Sequence, residues 1–238
     1  LRVRRKTTFV CINPEKFSLQ KYIVLGVCAV GIPAAIQNLL NVTGMTILNN
    51  FTSSYGAQAV AAMGITQKIN MVPLQVAMGF SQGIMPLISY NYASGNHRRM
   101  KETIFFTIKT LLPFLVVVSL GYFAGAGLLT RAFMDNEAIV AYGTRFLRGF
   151  CLGLPFLCMD FLAVGVFQAV GMGKAALSFA ILRKIVLEIP ALYLLNLLFP
   201  LYGLSYAQLV AELVLSIASV IMLARIFRRM QREDGASS

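Results

Sequence analysis

Long apolar runs separated by short polar or basic stretches make up most of this sequence. A helix that crosses a bilayer needs about 20 mainly apolar residues. Six segments meet that requirement: Tyr22–Leu48, Ala59–Ile88, Ile104–Leu128, Phe146–Val170, Ala175–Leu198 and Leu204–Phe227. The pattern predicts an all-α fold, a polytopic transmembrane helical bundle with six spans.

Composition agrees with a membrane location. Of the 238 residues, 58% are hydrophobic and only 13% are charged, whereas a soluble domain usually carries about 25% charged residues. The net charge of +12 does not point to nucleic acid as a partner, because most basic residues flank apolar runs, as they do in membrane proteins. The lipid bilayer is therefore the predicted partner.

The distribution of Lys and Arg predicts the orientation. Sixteen of them fall on one side of the predicted spans and three on the other. The larger group includes Lys174, Arg183 and Lys184, which we assign to the fourth connection and the turns that follow it. Since positive loops face the cytoplasm, we expect a multi-pass protein of the cell (inner) membrane with both termini cytoplasmic.

Polar residues on three spans suggest a shared interior. The second span carries seven residues at helical spacing: Met63, Gln67, Met71, Gln75, Met78, Gln82 and Met85. They are either interhelical contacts or the wall of a cavity, where methionines and amides adapt to varied ligands, and both interpretations stay open. The first span adds Gln37, Asn38 and Asn41, and the last adds Ser205, Gln208, Glu212, Ser216 and Ser219.

Four charged residues within the spans are candidates for ion or cation coupling: Asp160, Glu188, Glu212 and Lys68. Intramembrane ionisable groups are expensive and usually functional. Asp160 has no basic residue within one helical turn and shares a face with Gln168, while Glu188 follows Lys184 by four residues and can form a local ion pair. We expect Lys68 to pair with one of the carboxylates.

Small residues also follow a recognisable spacing. GxxxG occurs at Gly79/Gly83, Gly121/Gly125 and Gly149/Gly153. This spacing lets helix backbones approach each other, so we expect close helix contacts at all three.

Signatures of an enzyme, a metal site or a bound organic cofactor are absent from the sequence. It contains no GxSxG, HExxH, P-loop or dinucleotide-binding turn, and its cysteines form no CxxC pair. Without a nucleotide site, we expect any transport to be driven by an ion gradient.

Several segments together carry a resemblance to a known family. They include GIPAAIQNLLN at Gly31–Asn41, AVAAMGITQKI at Ala59–Ile69 and, most specifically, GFSQGIMPLISYNYASGN at Gly79–Asn96. FLRGFCLGLPF at Phe146–Phe156, FQAVGMGKAALSFAILRKIVLEIP at Phe167–Pro190 and LYGLSYAQLVAELV at Leu201–Val214 extend it over nearly the whole chain. On these segments the sequence resembles the multidrug and toxic compound extrusion transporters.

The resemblance implies helices seven to twelve of a twelve-helix, two-lobe antiporter that exchanges Na⁺ or H⁺ for organic cations, drugs or other amphipathic compounds. Residues 1–21 correspond to the cytoplasmic inter-lobe linker, residues 22–227 to the C-terminal lobe and residues 228–238 to a cytoplasmic tail. The partner implied is an N-terminal six-helix lobe, and the lack of an initiating Met leads us to expect a longer protein. The family's lobe–lobe cavity implies a substrate site at Gln37, Asn38, Asn41, Gln67, Met71, Gln75, Met78, Gln82 and Gln168.

The coupling ion and two other functions stay open. Asp160 matches a position that carries a cation-site carboxylate in some branches, but the first span has no acidic residue to complete such a site. A flippase for lipid-linked sugars has a similar architecture, although its pyrophosphate cavity should be rich in Arg and Lys. A non-transporting membrane fragment is the third possibility.

Overall fold

Helices form almost the whole of the computed structural model, which describes residues 20–236. No strand occurs in that range, and the predicted all-α fold class is confirmed. Nearly all of the predicted linker (residues 1–21) and the end of the predicted tail (residues 228–238) lie outside the described residues.

The described part of the chain folds into eight α-helices and one π-helix. They are α1 (Lys21–Ser53), α2 (Ala57–Ala93), α3 (His97–Arg131), α4 (Glu137–Cys151), α5 (Leu154–Ala169), α6 (Gly173–Ile181), the π-helix (Leu182–Glu188), α7 (Ile189–Leu198) and α8 (Gly203–Ala236).

By length and hydropathy, four helices can each cross a membrane: α1, α2, α3 and residues Gly203–Arg228 of α8. The pair α4 and α5, bent by 48° where they meet, can form a fifth span. The fifth helical run is continuous from Gly173 to Leu198 and consists of α6, the π-helix and α7. The six predicted spans thus correspond to six helical runs.

The fourth run differs most from its predicted range. Its helix begins at Glu137, nine residues before the predicted start at Phe146, and it breaks between Cys151 and Leu154. Pro155 stands at the first turn of α5, where the missing N–H of a proline is tolerated. The break therefore has a local cause, and what was predicted as one span is a bent pair.

Two clusters of buried side chains hold the helices together. One surrounds Phe167 and Phe179 and joins α2, α3, α5, α6 and α8. The other surrounds Met63 and Phe146 and joins α1, α2, α4, α7 and the start of α8. In contrast, the most apolar stretch of α1 has no buried residue, so this helix flanks the bundle and packs mainly on α6 and α2.

The three GxxxG spacings have different outcomes. Gly149 and Gly153 pack against α8, with Gly149 directly on Ser205. Around the other four glycines, Gly79, Gly83, Gly121 and Gly125, no atom of the described chain lies within 4 Å of an added Cβ position. The prediction of a close helix contact is therefore right for one spacing and wrong for two.

Candidate functional site

The centre of the candidate site is Arg183, which bridges two buried carboxylates. Its Nη1 lies 3.3 Å from Oδ2 of Asp160, and its Nη2 donates a short hydrogen bond to Oε1 of Glu212. The guanidinium also lies over the ring of Phe161, 5.5 Å from its centroid. The side chains of Asp160 and Glu212 are 2% and 0% exposed, so this network is shielded from solvent.

The helix geometry explains why Arg183 and Glu212 lie at a similar depth. Arg183 lies ten residues into the helical run that begins at Gly173, and Glu212 lies nine residues into α8. At 1.5 Å per residue both are about 15 Å along their helices, near the middle of a hydrocarbon core about 30 Å thick.

Several polar atoms of the network lack a hydrogen-bond partner among the described residues. They include Oδ1 of Asp160, Oε2 of Glu212 and Nε of Arg183. A buried polar atom without a partner costs about 1–3 kcal/mol. The two carboxylate oxygens can accept a proton, a water hydrogen or a cation, whereas Nε–H of Arg183 can donate to a water molecule. The network thus has unused capacity to bind.

A second ion pair lies beside the first. Lys184 Nζ is 2.6 Å from Oε2 and 2.7 Å from Oε1 of Glu188, so it contacts both carboxylate oxygens. The π-helix has about 4.4 residues per turn, so residues four apart fall on nearly the same face. This pair confirms the local contact predicted from the spacing.

The five charges do not balance. Asp160, Glu188 and Glu212 are carboxylates, while Arg183 and Lys184 supply two positive charges. With every group ionised, the cluster has a net charge of −1. An unbalanced charge in a low-dielectric interior is unfavourable, so the cluster favours binding one proton or one monovalent cation.

A cavity of about 300 Å³ opens next to this cluster. Its walls come from α1, α2, the π-helix, the middle of α5, the end of α4 and the starts of α7 and α8. Amides and thioethers from α1 and α2 face Arg183, Lys184 and Glu188 across it. Apart from Gln208, the remaining walls are apolar and aromatic, including Phe150 and Phe161.

Most of the predicted cavity residues lie in this wall: Asn38, Asn41, Gln67, Met71, Gln75 and Met78. Gln37 and Gln168 do not line the cavity. Instead, Nε2 of Gln168 donates a hydrogen bond of 3.4 Å to Oε1 of Gln37. Gln82 is exposed and lies outside the lining.

The expected pairing of Lys68 with a buried carboxylate is wrong. Its side chain is exposed on α2, and all three buried carboxylates contact Arg183 or Lys184 instead. The predicted assignment of Arg183 and Lys184 to a cytoplasmic connection is also wrong, because both residues belong to the buried cluster. The error arose because basic residues near the start of a predicted span were counted with the loop. Removing these two from the sixteen leaves fourteen against three.

Asn70 and Gln208 also line the cavity. Asn70 directly precedes Met71 on the second span, and its Oδ1 is buried without a partner in the described range. Gln208 belonged to the polar face noticed on the last span. Both were therefore readable as interior residues, although their position in one cavity was not.

Comparison with known proteins gives consistent matches. The family model named MatE matches residues 33–194. The multidrug export protein MepA of Staphylococcus saprophyticus is 32% identical over 220 residues, which cover 92% of this chain and 48% of MepA. The chain thus spans about half the length of the curated relatives it matches.

Solved structures match at the level of the fold. The outward-facing conformation of a multidrug resistance MATE family transporter superposes with a TM-score of 0.88 at 19% identity, covering 98% of this chain and 52% of that one. The MATE transporter VcmN of Vibrio cholerae, in its bent form, superposes with a TM-score of 0.82 at 18% identity, covering 91% and 49%.

Proposed function

Since the chain belongs to the MatE family, the multidrug and toxic compound extrusion transporters, we propose that it forms the C-terminal six-helix half of an ion-coupled efflux antiporter. The compounds exported are organic cations and other amphipathic molecules, and the coupling ion is Na⁺ or H⁺. The relatives that the chain matches over half their length are named multidrug export proteins, which supports this proposal.

The observation that carries the proposal is the cavity beside the charged cluster. Its amides, methionines and phenylalanines suit flat or branched apolar bodies of varied shape, while the surplus negative charge of the cluster suits a cationic group. The same surplus disfavours the flippase alternative, because Arg183 and Lys184 are already neutralised by carboxylates and leave no free positive charge for a pyrophosphate.

Ion coupling is assigned to the buried network of Asp160, Arg183 and Glu212. The unpartnered carboxylate oxygens offer a place for a proton or Na⁺, and Arg183 belongs to both the network and the cavity lining. A change of charge in the network therefore changes the electrostatic potential at the cavity. Exchange of an ion for a substrate requires such a coupling between the two sites.

The remaining partner is an N-terminal six-helix lobe in the same membrane. Gln75 and Gln82 are exposed on α2 together with Lys68, and amides are unfavourable against lipid. We assign this polar edge to the water-filled space between two lobes. Both termini of the present chain are cytoplasmic in this proposal.

The test is efflux of ethidium from cells and proteoliposomes by a two-lobe protein in which this chain follows its N-terminal lobe. Asp160→Asn keeps the shape and removes one charge, so gradient-driven efflux should fall at least about tenfold while expression is retained. Asp135→Asn, at an exposed position in the loop before α4, is the matched control and should transport normally.

Two results would contradict the proposal. One is efflux at the wild-type rate, with unchanged ion dependence, in Asp160→Asn. The other is robust efflux by the 238-residue chain reconstituted alone, because a site shared by two lobes cannot alternate its access with one of them.

A further inference from the structure

We propose that Lys184 is a built-in cation that competes with cationic substrates for Glu188 and so sets the affinity of the cavity. This inference rests on the proposed function, since it concerns how the same cavity recognises its ligands. It predicts that the Lys184–Glu188 pair is separable, in contrast to the buried Arg183 bridge.

The position of Glu188 is the first step. Of the three buried carboxylates, Glu188 lines the cavity, whereas Asp160 and Glu212 do not. Those two are paired with Arg183, and separating either pair would leave a buried charge without compensation. Glu188 is therefore the carboxylate that a ligand in the cavity can reach.

The position of Lys184 is the second step. Its ammonium occupies the side of Glu188 where a ligand cation would bind, in contact with both carboxylate oxygens. Lys184 is itself one of the residues that line the cavity. Because a lysine ammonium sits on four rotatable methylenes, it can move aside without any change in the backbone.

The third step is the wall that supports the pair. A Cβ added to Gly44 of α1 would lie 3.1 Å from Cδ and Nζ of Lys184 and 3.4 Å from Oε1 of Glu188. The pair therefore packs directly on the backbone of α1, with no side chain between. This contact limits where Lys184 can go and directs a displaced ammonium into the cavity volume.

The charge balance predicts the class of ligand. The cluster has a net charge of −1, so a bound monovalent lipophilic cation would bring the net charge to zero, whereas a divalent cation would make it positive. Lys184 weakens that attraction in the empty cavity, and a bound cation must either share Glu188 with it or displace it. High selectivity with modest affinity follows, which suits a protein that must release what it binds.

The experiment is a double-mutant cycle on cation binding by the two-lobe protein of the efflux test, in which this chain follows its N-terminal lobe, in nanodiscs of zwitterionic lipid. The probe is tetraphenylphosphonium, titrated calorimetrically at about pH 8, where carboxylates are ordinarily ionised, with empty nanodiscs subtracted. Triphenylphosphine oxide, which has a similar shape and no charge, is the neutral probe. Lys174→Met, which removes an exposed charge ten residues earlier on the same helical run, is the matched control.

The proposal predicts a specific order of affinities. Lys184→Met should tighten tetraphenylphosphonium binding at least about tenfold, because one positive charge near the ligand is removed. Glu188→Gln should weaken it by at least about as much, because the lysine then repels the ligand without opposition. The double variant, neutral like the native pair, should return close to the wild-type affinity, and the neutral probe should bind all four proteins alike.

The double variant keeps the test decisive if Lys184→Met does not fold, because it strands no charge. In that case recovery of affinity from Glu188→Gln to the double variant supports the proposal, and no recovery overturns it. Unchanged or weaker binding by a folded Lys184→Met also overturns it. If wild type and all variants bind tetraphenylphosphonium equally, only this inference fails; if none binds it, the cation site of the proposed function fails as well.

Discussion

Arg183 carries an unusual share of the electrostatic balance of this protein. Two carboxylates from different helices depend on it, and both are almost fully buried. Removing one partner of a buried pair typically costs about 3–5 kcal/mol, because the other charge is left without compensation. The cost should therefore depend on which member of the triad is removed.

We expect Arg183→Met to be the most destabilising single change in the triad. It strands both Asp160 and Glu212, so the loss should be at least about 3–5 kcal/mol, seen as a large fall in the detergent melting temperature. Asp160→Asn should cost less, because Arg183 keeps Glu212 and can still donate to the new amide. Comparable melting temperatures for the two variants would contradict this account.

The matched control is Arg98→Met. Arg98 pairs with Glu102 one turn later at 3.0 Å, but these side chains are 90% and 60% exposed. Exposed pairs contribute little to stability, so this variant should melt close to the wild type.

The Lys184–Glu188 and Arg183–Glu212 ion pairs show what a sequence can predict at the scale of a residue. Lys184 and Glu188 are four positions apart on one helix, so helical periodicity alone predicted their contact. Arg183 and Glu212 are 29 positions apart on helices whose relative rotation depends on packing. The sequence placed a lysine of α2 in the role that Arg183 fills, because Lys68 was the one cation recognised deep within a span.

At the scale of the helices, apolar length predicted the number of helical runs but not their breaks. The π-helix at Leu182–Glu188 and the bend between α4 and α5 arise from local hydrogen bonding and from Pro155. Hydropathy averages over about one bilayer thickness, so it cannot register a break within that length. The π-helix supplies Arg183, Lys184 and Glu188 to the charged cluster, and the bend precedes Asp160 on α5. π-Helices often occur at functional sites.

Two glycines with the same sequence spacing should respond differently to alanine. At Gly149 an added Cβ would lie 2.7 Å from Cβ of Ser205, and we expect Gly149→Ala to destabilise by about 1–3 kcal/mol through overpacking. At Gly121, no atom of the described chain beyond the neighbouring backbone of the same helix lies within 4 Å of an added Cβ. Gly121→Ala should therefore be neutral or stabilise the protein by up to about 1 kcal/mol, the difference in helix propensity between the two residues. Thermal unfolding in detergent measures both, and equal effects would contradict the packing described here.

At the scale of the whole molecule, the sidedness of the bundle rests on charges outside the site. With Arg183 and Lys184 assigned to the interior, the predicted spans leave fourteen basic residues on one side and three on the other. The predicted asymmetry persists because it rests on the termini and the loops, which contain neither of these two residues. Intramembrane and flanking charges thus have separate roles in this chain.

This orientation is directly testable by labelling single cysteines in intact cells. In a background in which Cys11, Cys28, Cys151 and Cys158 are replaced by alanine, Ser94→Cys lies in the exposed turn between α2 and α3, and Asp135→Cys lies in the exposed loop between α3 and α4. Because one apolar helix, α3, separates the two positions, they must lie on opposite sides of the membrane.

The basic residues Arg98, Arg99 and Lys101 follow Ser94 and favour the cytoplasm. An impermeant maleimide added outside should therefore label Asp135→Cys and should not label Ser94→Cys until the cells are opened. The reverse order of labelling would invert the molecule, and labelling of both positions from outside would mean that α3 does not cross the bilayer.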